Sequence, residues 1–288
     1  MTPDFRNNTK TVETLSDLCD LKSFPKRSRF VLFLAYSPFG FFFFILRIIF
    51  ILAVITGTKL GVLRPSPALC RFSLRIIGLR IARNGSVPDL AAYADGCVVP
   101  SNHVSLLDIF MIIDMPYATI LVGHPLKETN IITRIMFAFI TCISSTKFWY
   151  VTDRRNFVRH LAEWRKNPAG TTLYTTPEMT ISNSRGLFCF NSAFVCMGRP
   201  IVPSSIQLAI PFSMAAHPLH SNGAAIFLRL LMMPWVRCTL TYLARIEGTS
   251  GSKTAIATQV QTAIASSLGI TPTEYTAADK YAFRKNTR

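Results

Sequence analysis

The sequence predicts an α/β fold, a mostly parallel sheet flanked by helices, behind an N-terminal membrane-embedded helical hairpin. Three observations predict it. From about residue 83 onward, short apolar runs alternate with helix-length segments, the pattern of strands joined by crossover helices. Phe30 to Ile55 is almost wholly apolar and long enough to enter a bilayer, whose core takes ~20 helical residues. Composition leans the same way: 50% of residues are hydrophobic and 16% are charged, against about 25% charged in ordinary soluble chains.

Taken in order, residues 1–27 are polar, mixed in charge, and read as a mobile tail. Residues 28–58 form the anchor. Pro38 and Gly40 stand early in it and Arg47 late, so a straight span would hold a helix breaker and a charge costing ~2.5–3.5 kcal/mol near mid-bilayer. Lys26, Arg27 and Arg29 precede it; Lys59, Arg64, Arg71 and Arg75 follow, which keeps both flanks cytosolic. A re-entrant hairpin bent near Pro38–Gly40, with Arg47 reaching outward, satisfies all three facts. The alternative is a helix pair buried in a soluble core. The stretch is too long for a signal peptide and lacks a small-residue cleavage site.

Residues 60–270 make the α/β domain. Strands are expected at 96–100, 118–123, 147–151, 171–176, 200–206 and 237–246, and helices at about 105–115, 130–140, 154–166 and 253–268. The run "AAIFLRLLMMPW" (224–235) fits either a membrane-surface helix or a core helix. Residues 271–288 read as a basic C-terminal tail.

The formal net charge of +16 points to nucleic acid or to an anionic membrane surface. No nucleic-acid motif is present and the basic residues flank apolar stretches, so lipid is the partner expected. The seven cysteines are scattered without a C-x-x-C pair, which suits reduced thiols facing the cytosol.

One short stretch carries chemistry. In "SNHVSLLDIF" (101–110), His103 precedes Asp108 by five positions, and on one helix their side chains would point ~140° apart. They meet if the helix begins between them, and Ser105-Leu106-Leu107-Asp108 is a capping box that supplies such a start. His103 then sits in the loop after a strand, where α/β sheets place their chemistry. Asp108 can take its Nδ1–H and leave the other nitrogen free to accept a proton. The plainer reading is a capping aspartate beside an ordinary loop histidine. Glu178, in "TTPEMT", and Asp153-Arg154-Arg155 end two other strands, bringing a carboxylate and guanidinium groups to the same rim. Arg155 and Arg159 read as solvated charges, His124 and His160 as surface or structural residues. His217 and His220, in "HPLH", lack a third metal ligand. Ser204 and Ser205 lack a nucleophile elbow.

Four stretches, "NHVSLLD", "VTDRR", "TPEMT" and "RPIVPSS", resemble in order and approximate spacing the four blocks of the glycerophospholipid acyltransferases. The likeness covers about Leu60 to Leu243. The pattern "PEMTISNSRGLFCFNSAFVCMGRPIVP", with the tail "LGITPTEYTAADKYAFRK", is similar to the branch holding lysophosphatidylcholine acyltransferases, the ancient ubiquitous protein and a short fungal lysophosphatidic acid acyltransferase. The resemblance implies the glycerolipid acyltransferase fold and transfer of an acyl chain from acyl-CoA to a lysophospholipid, with lysophosphatidic acid the leading acceptor. It implies no bound cofactor or metal, and a domain facing the cytosol from the endoplasmic reticulum or a lipid droplet. Carried over by position, His103 is the general base, Asp108 orients it, and Arg154 and Glu178 hold the acceptor's glycerol and phosphate; Asn102, Thr180 and Arg185 are further candidates for substrate binding. Met179 departs from the family's glycine, and Ile181 stands where many members have arginine, a place Arg185 lies near enough to fill. A second reading, supported by Met179, keeps the fold as a catalytically inactive adaptor on the same membranes.

Overall fold

The computed structural model describes residues 12–85, 96–113, 118–122, 131–144, 146–150, 153–167, 171–248 and 251–287. Its first long element is helix α1 (Arg27–Lys59), followed by α2 (Pro67–Ile76). The expected bend at Pro38–Gly40 is corrected: α1 runs unbroken through both, and the chain turns back only at 60–66. Proline leaves the carbonyl of Leu34 without its usual backbone donor, and the Ser37 hydroxyl supplies one at 2.7 Å. Gly40 is there for proximity, since a Cβ would stand 3.1 Å from the Met232 carbonyl oxygen.

Arg47 is also corrected. It does not reach outward but is 5% exposed, and its guanidinium donates to the carbonyls of Ile76 (3.1 Å), Leu231 (2.8 Å), Met233 and Pro234 (3.1 Å). These carbonyls lie in or just past the last turns of α2 and of α5 (Gly223–Met232), where helices leave oxygens unpaired and favour a cation. The run 224–235 is therefore a core helix, with Ile226, Phe227, Leu230 and Leu231 buried. α1 packs against α5 and α3 (Ile131–Ile143), while Phe30, Phe39, Phe41, Phe42 and Ile49 remain exposed. It is the one described helix long and apolar enough to cross a membrane.

Among the described residues nine strands follow in chain order: β1 (Leu79–Asn84), β2 (Cys97–Pro100), β3 (Ala118–Val122), β4 (Lys147–Tyr150), β5 (Thr172–Thr175), β6 (Gly186–Leu187), β7 (Ser204–Ala209), β8 (Val236–Tyr242) and β9 (Thr271–Pro272). Four of them pair in parallel in the order β2-β5-β3-β4, with Val98 beside Leu173 and Ile120 beside Phe148. A second group runs β1-β8-β7, with β1 parallel and β7 antiparallel to β8. Val98 splices the two, donating to Pro200 and accepting from Val202, each at 2.9 Å. Helices α4 (Arg154–Lys166) and α6 (Lys253–Leu268) match the expected ones, whereas β1 was not anticipated because arginines interrupt its apolar residues. Of the helix expected at 105–115, the described residues form only a 3₁₀ turn, Asp108–Met111, and 114–115 lie outside them. Phe110 through Ile113 are buried on every side, which leaves no solvent face for an amphipathic helix.

From residue 12 on, the two expected tails are instead packed. Leu18 is fully buried and its carbonyl accepts from Asn183 N–H at 3.2 Å; Asp20 accepts from Leu219 N–H at 2.7 Å. At the other end β9 pairs with β6, Tyr275 accepts from Cys189 N–H at 2.7 Å, and α7 (Ala277–Asn286) lies alongside. Leu18, Cys19, Phe188 and Leu219 form an apolar cluster with Val12, Leu15, Tyr275 and Phe283 against it. Each tail carries too few apolar residues to look folded alone; they are buried by meeting each other over residues 183–188.

Candidate active site

β2 ends at Pro100 and the chain leaves the sheet's carboxyl edge through Asn102 and His103. His103 Nδ1 lies 2.8 Å from Asp108 Oδ2, which also accepts from Val104 N–H (2.7 Å) and Ser105 N–H (3.1 Å). A carboxylate oxygen gathering three donors fixes the tautomer: Nδ1 carries the proton and Nε2 keeps its lone pair. The Asp108 side chain is 1% exposed and that of His103 22%, so the pair is anchored inside and opens outward at the ring. The loop closes as a turn because Ser105 Oγ accepts from Leu107 N–H at 3.1 Å.

Two of the expected substrate residues, Asn102 and Glu178, hold backbone groups of the chain. Asn102 is fully buried and pairs its amide with the backbone of Ile206 on β7, at 2.9 and 2.7 Å. Glu178 stands past the end of β5 but turns inward at 1% exposure. One of its oxygens accepts from His103 N–H at 2.7 Å and the other from Phe188 N–H at 2.9 Å. Ser182 N–H donates to the His103 carbonyl at 2.7 Å. The turn carrying Glu178 thus grips both polar atoms of the His103 backbone, and the carboxylate positions the loop where acceptor contact was expected. Thr180 is buried in the same turn. Arg185 is exposed, 3.7 Å from Asp20. Arg154 opens α4, and its side chain, like all of His124, lies outside the described residues. His160 stacks on Trp149 with ring centroids 5.4 Å apart.

Met179 holds φ at 54°, the left-handed region its glycine counterpart would favour. The turn is kept in spite of the side chain, which is 47% exposed and meets no crowding in the core.

His217, set aside in the sequence as a poor metal ligand, proves to be close enough to His103 for their charges to interact. Burial, and then the charge of Lys280, push its imidazole down to about 4, so it is neutral, and its Nδ1 lies 3.4 Å from the Pro218 carbonyl oxygen. Its 114-residue distance from His103 in the chain hid the relation.

Burial pushes the Glu178 carboxyl up to about 8, with the two N–H donors and Lys280 pulling it down. The native state therefore holds a proton that the unfolded chain releases near the ordinary value of 4.5, and ionising Glu178 draws on stability as pH rises between the two. The stability gap between wild type and Glu178→Gln is expected to narrow from pH 5 to pH 8, read as thermal midpoints. A gap that widens would mean a carboxylate ionised and stabilising throughout.

No protein-family model matches the chain, and no curated protein sequence does. In three dimensions the chain is similar to the crystal structure of the 1-acyl-sn-glycerophosphate (LPA) acyltransferase, PlsC, from Thermotoga maritima. The TM-score is 0.54 at 16% identity, over 82% of this chain and 97% of that one. The two share a fold: a parallel-stranded α/β domain flanked by helices.

Proposed function

We propose that this protein is an acyl-CoA-dependent O-acyltransferase acting on a lysophospholipid, with lysophosphatidic acid as the leading acceptor and phosphatidic acid as the product. The observation that carries the reading is the His103–Asp108 pair at 2.8 Å, half-open at the carboxyl edge of the sheet, in a fold like that of the Thermotoga enzyme. Nε2 takes the proton from an acceptor hydroxyl as its oxygen attacks the thioester carbonyl of acyl-CoA. Collapse of the tetrahedral intermediate breaks the C–S bond, and the departing thiolate receives the proton from the imidazolium. Asp108 stabilises that cation and holds the ring. General-base help of this kind gives ~10²–10⁴-fold, positioning the remainder. Arg154, at the helix start that opens the next crossover, is the residue assigned to the acceptor phosphate.

α1 packs against the domain with apolar side chains left uncovered, which suits a protein seated in one leaflet of the endoplasmic reticulum or droplet surface, its basic flanks toward anionic lipid. The Met179 turn keeps a left-handed conformation, which supports the enzyme reading over an inactive adaptor.

The test is a panel of lysophospholipids offered with acyl-CoA to the full chain in vesicles, beside His103→Ala. Transfer to lysophosphatidic acid above the other acceptors, lost in the variant, is the expected result. Equal transfer by the variant would remove His103 as the base, and no transfer to any acceptor would sink the reading.

A further inference from the structure

We infer that Lys280 is a positioning residue for His103: helix α7, by holding the Ile181 carbonyl, fixes the turn that grips the histidine backbone. The inference rests on the acyltransferase reading above for its kinetic consequences but not for its geometry.

Lys280 is 7% exposed, though a lysine side chain is almost never fully buried without a partner. Its ammonium donates to the carbonyl of Ile181 and lies 5.8 Å from the centroid of the Phe188 ring, over its face. Those two residues bracket the turn. Ile181 directly precedes Ser182, whose N–H holds the His103 carbonyl, and Phe188 N–H holds the second oxygen of Glu178, whose first oxygen holds His103 N–H. One ammonium group therefore touches both sides of the turn at the points nearest its two bonds to His103. The Cys19 thiol and the carboxyl groups of Glu178 and Asp20 are the acidic groups in range of that charge, and burial favours the protonated form of Glu178. An apolar side chain could fill the same space with no desolvation penalty. What it could not do is donate to Ile181.

A displacement of about 1 Å in a catalytic group can lower turnover about a hundredfold while leaving binding intact. Among the described residues Lys280 donates to the Ile181 carbonyl, and its neighbour Glu178 spends both oxygens on backbone N–H groups, so its loss should appear in kcat more than in KM. The experiment uses the full chain in vesicles with Lys280→Met, Lys280→Arg and, on the exposed side of the same helix, Lys285→Met. Acyl-transfer kinetics are measured beside amide hydrogen exchange.

Lys280→Met is expected to lose at least about tenfold in kcat with KM for either substrate within about twofold. Exchange should speed up at residues 102–105 and 178–188 and stay unchanged in α6. Lys280→Arg, which still donates, should recover much of the rate, and Lys285→Met should match wild type. A Lys280→Met enzyme with wild-type kcat would overturn the inference. So would a rate lost only in proportion to the folded fraction, with exchange faster everywhere. If wild type transfers no acyl chain, the acyltransferase reading fails and exchange alone decides: acceleration confined to the two segments supports the brace, and none refutes it.

Discussion

An Asp108→Asn variant is expected to lose ~10²–10⁴-fold in turnover while its fold survives. The reason lies in what each oxygen does. Oδ2 collects three donors, and Oδ1 is buried with no hydrogen-bond partner among the described residues. If the amide keeps its oxygen toward the donors, its NH₂ takes the Oδ1 place, a buried donor without an acceptor at about 1–3 kcal/mol. If it flips, the NH₂ meets His103 Nδ1, moves the ring proton to Nε2 and leaves no base. Neither orientation supplies the negative charge that stabilises an imidazolium. Single-turnover rates and thermal midpoints separate the two effects, since a stability loss of this size leaves most of the protein folded. A variant turning over within about threefold of wild type would show that the carboxylate only caps the turn.

Arg47→Met should be the most destabilising single change in the anchor. It removes the donors to the Ile76, Leu231, Met233 and Pro234 carbonyls, of which the bonds to Leu231 and Met233 are fully buried, a loss of about 3 kcal/mol. For a chain of this size that is about 2–4 °C in Tm per kcal/mol. Methionine fills much of the volume, so the loss reports the hydrogen bonds more than a cavity. Gly78 lies against the same group: with φ at 89°, any Cβ there would stand 2.4 Å from an Arg47 nitrogen. Thermal unfolding in detergent is the measurement. Wild-type stability with weakened vesicle binding would instead mean an arginine that faces headgroups.

Much of the site could be read in the sequence because it is local. His103, Asp108 and Ser105 lie within six residues, and a capping box plus a tautomer argument suffice to bring them together. The central strands were equally visible as apolar runs between turn residues. Arg47 was misread for the opposite reason: its partners lie 29 to 187 positions away, and an arginine in an apolar run reads as a charge seeking water until helix ends are brought to it. Glu178 was placed at the correct edge, but its inward turn depends on two backbone N–H groups that no spacing reveals. The tails failed in the same way, each apolar only in the presence of the other.

The grip on the His103 backbone joins parts of the chain made far apart: Leu18 lies 165 positions before Asn183, and Tyr275 lies 86 after Cys189. Such contacts are reached only after long loops have closed, so this corner is expected to set late as the protein folds. It should also be the first to loosen under mild denaturant, with the central strands still paired, and catalytic loss would then precede the melting of the sheet.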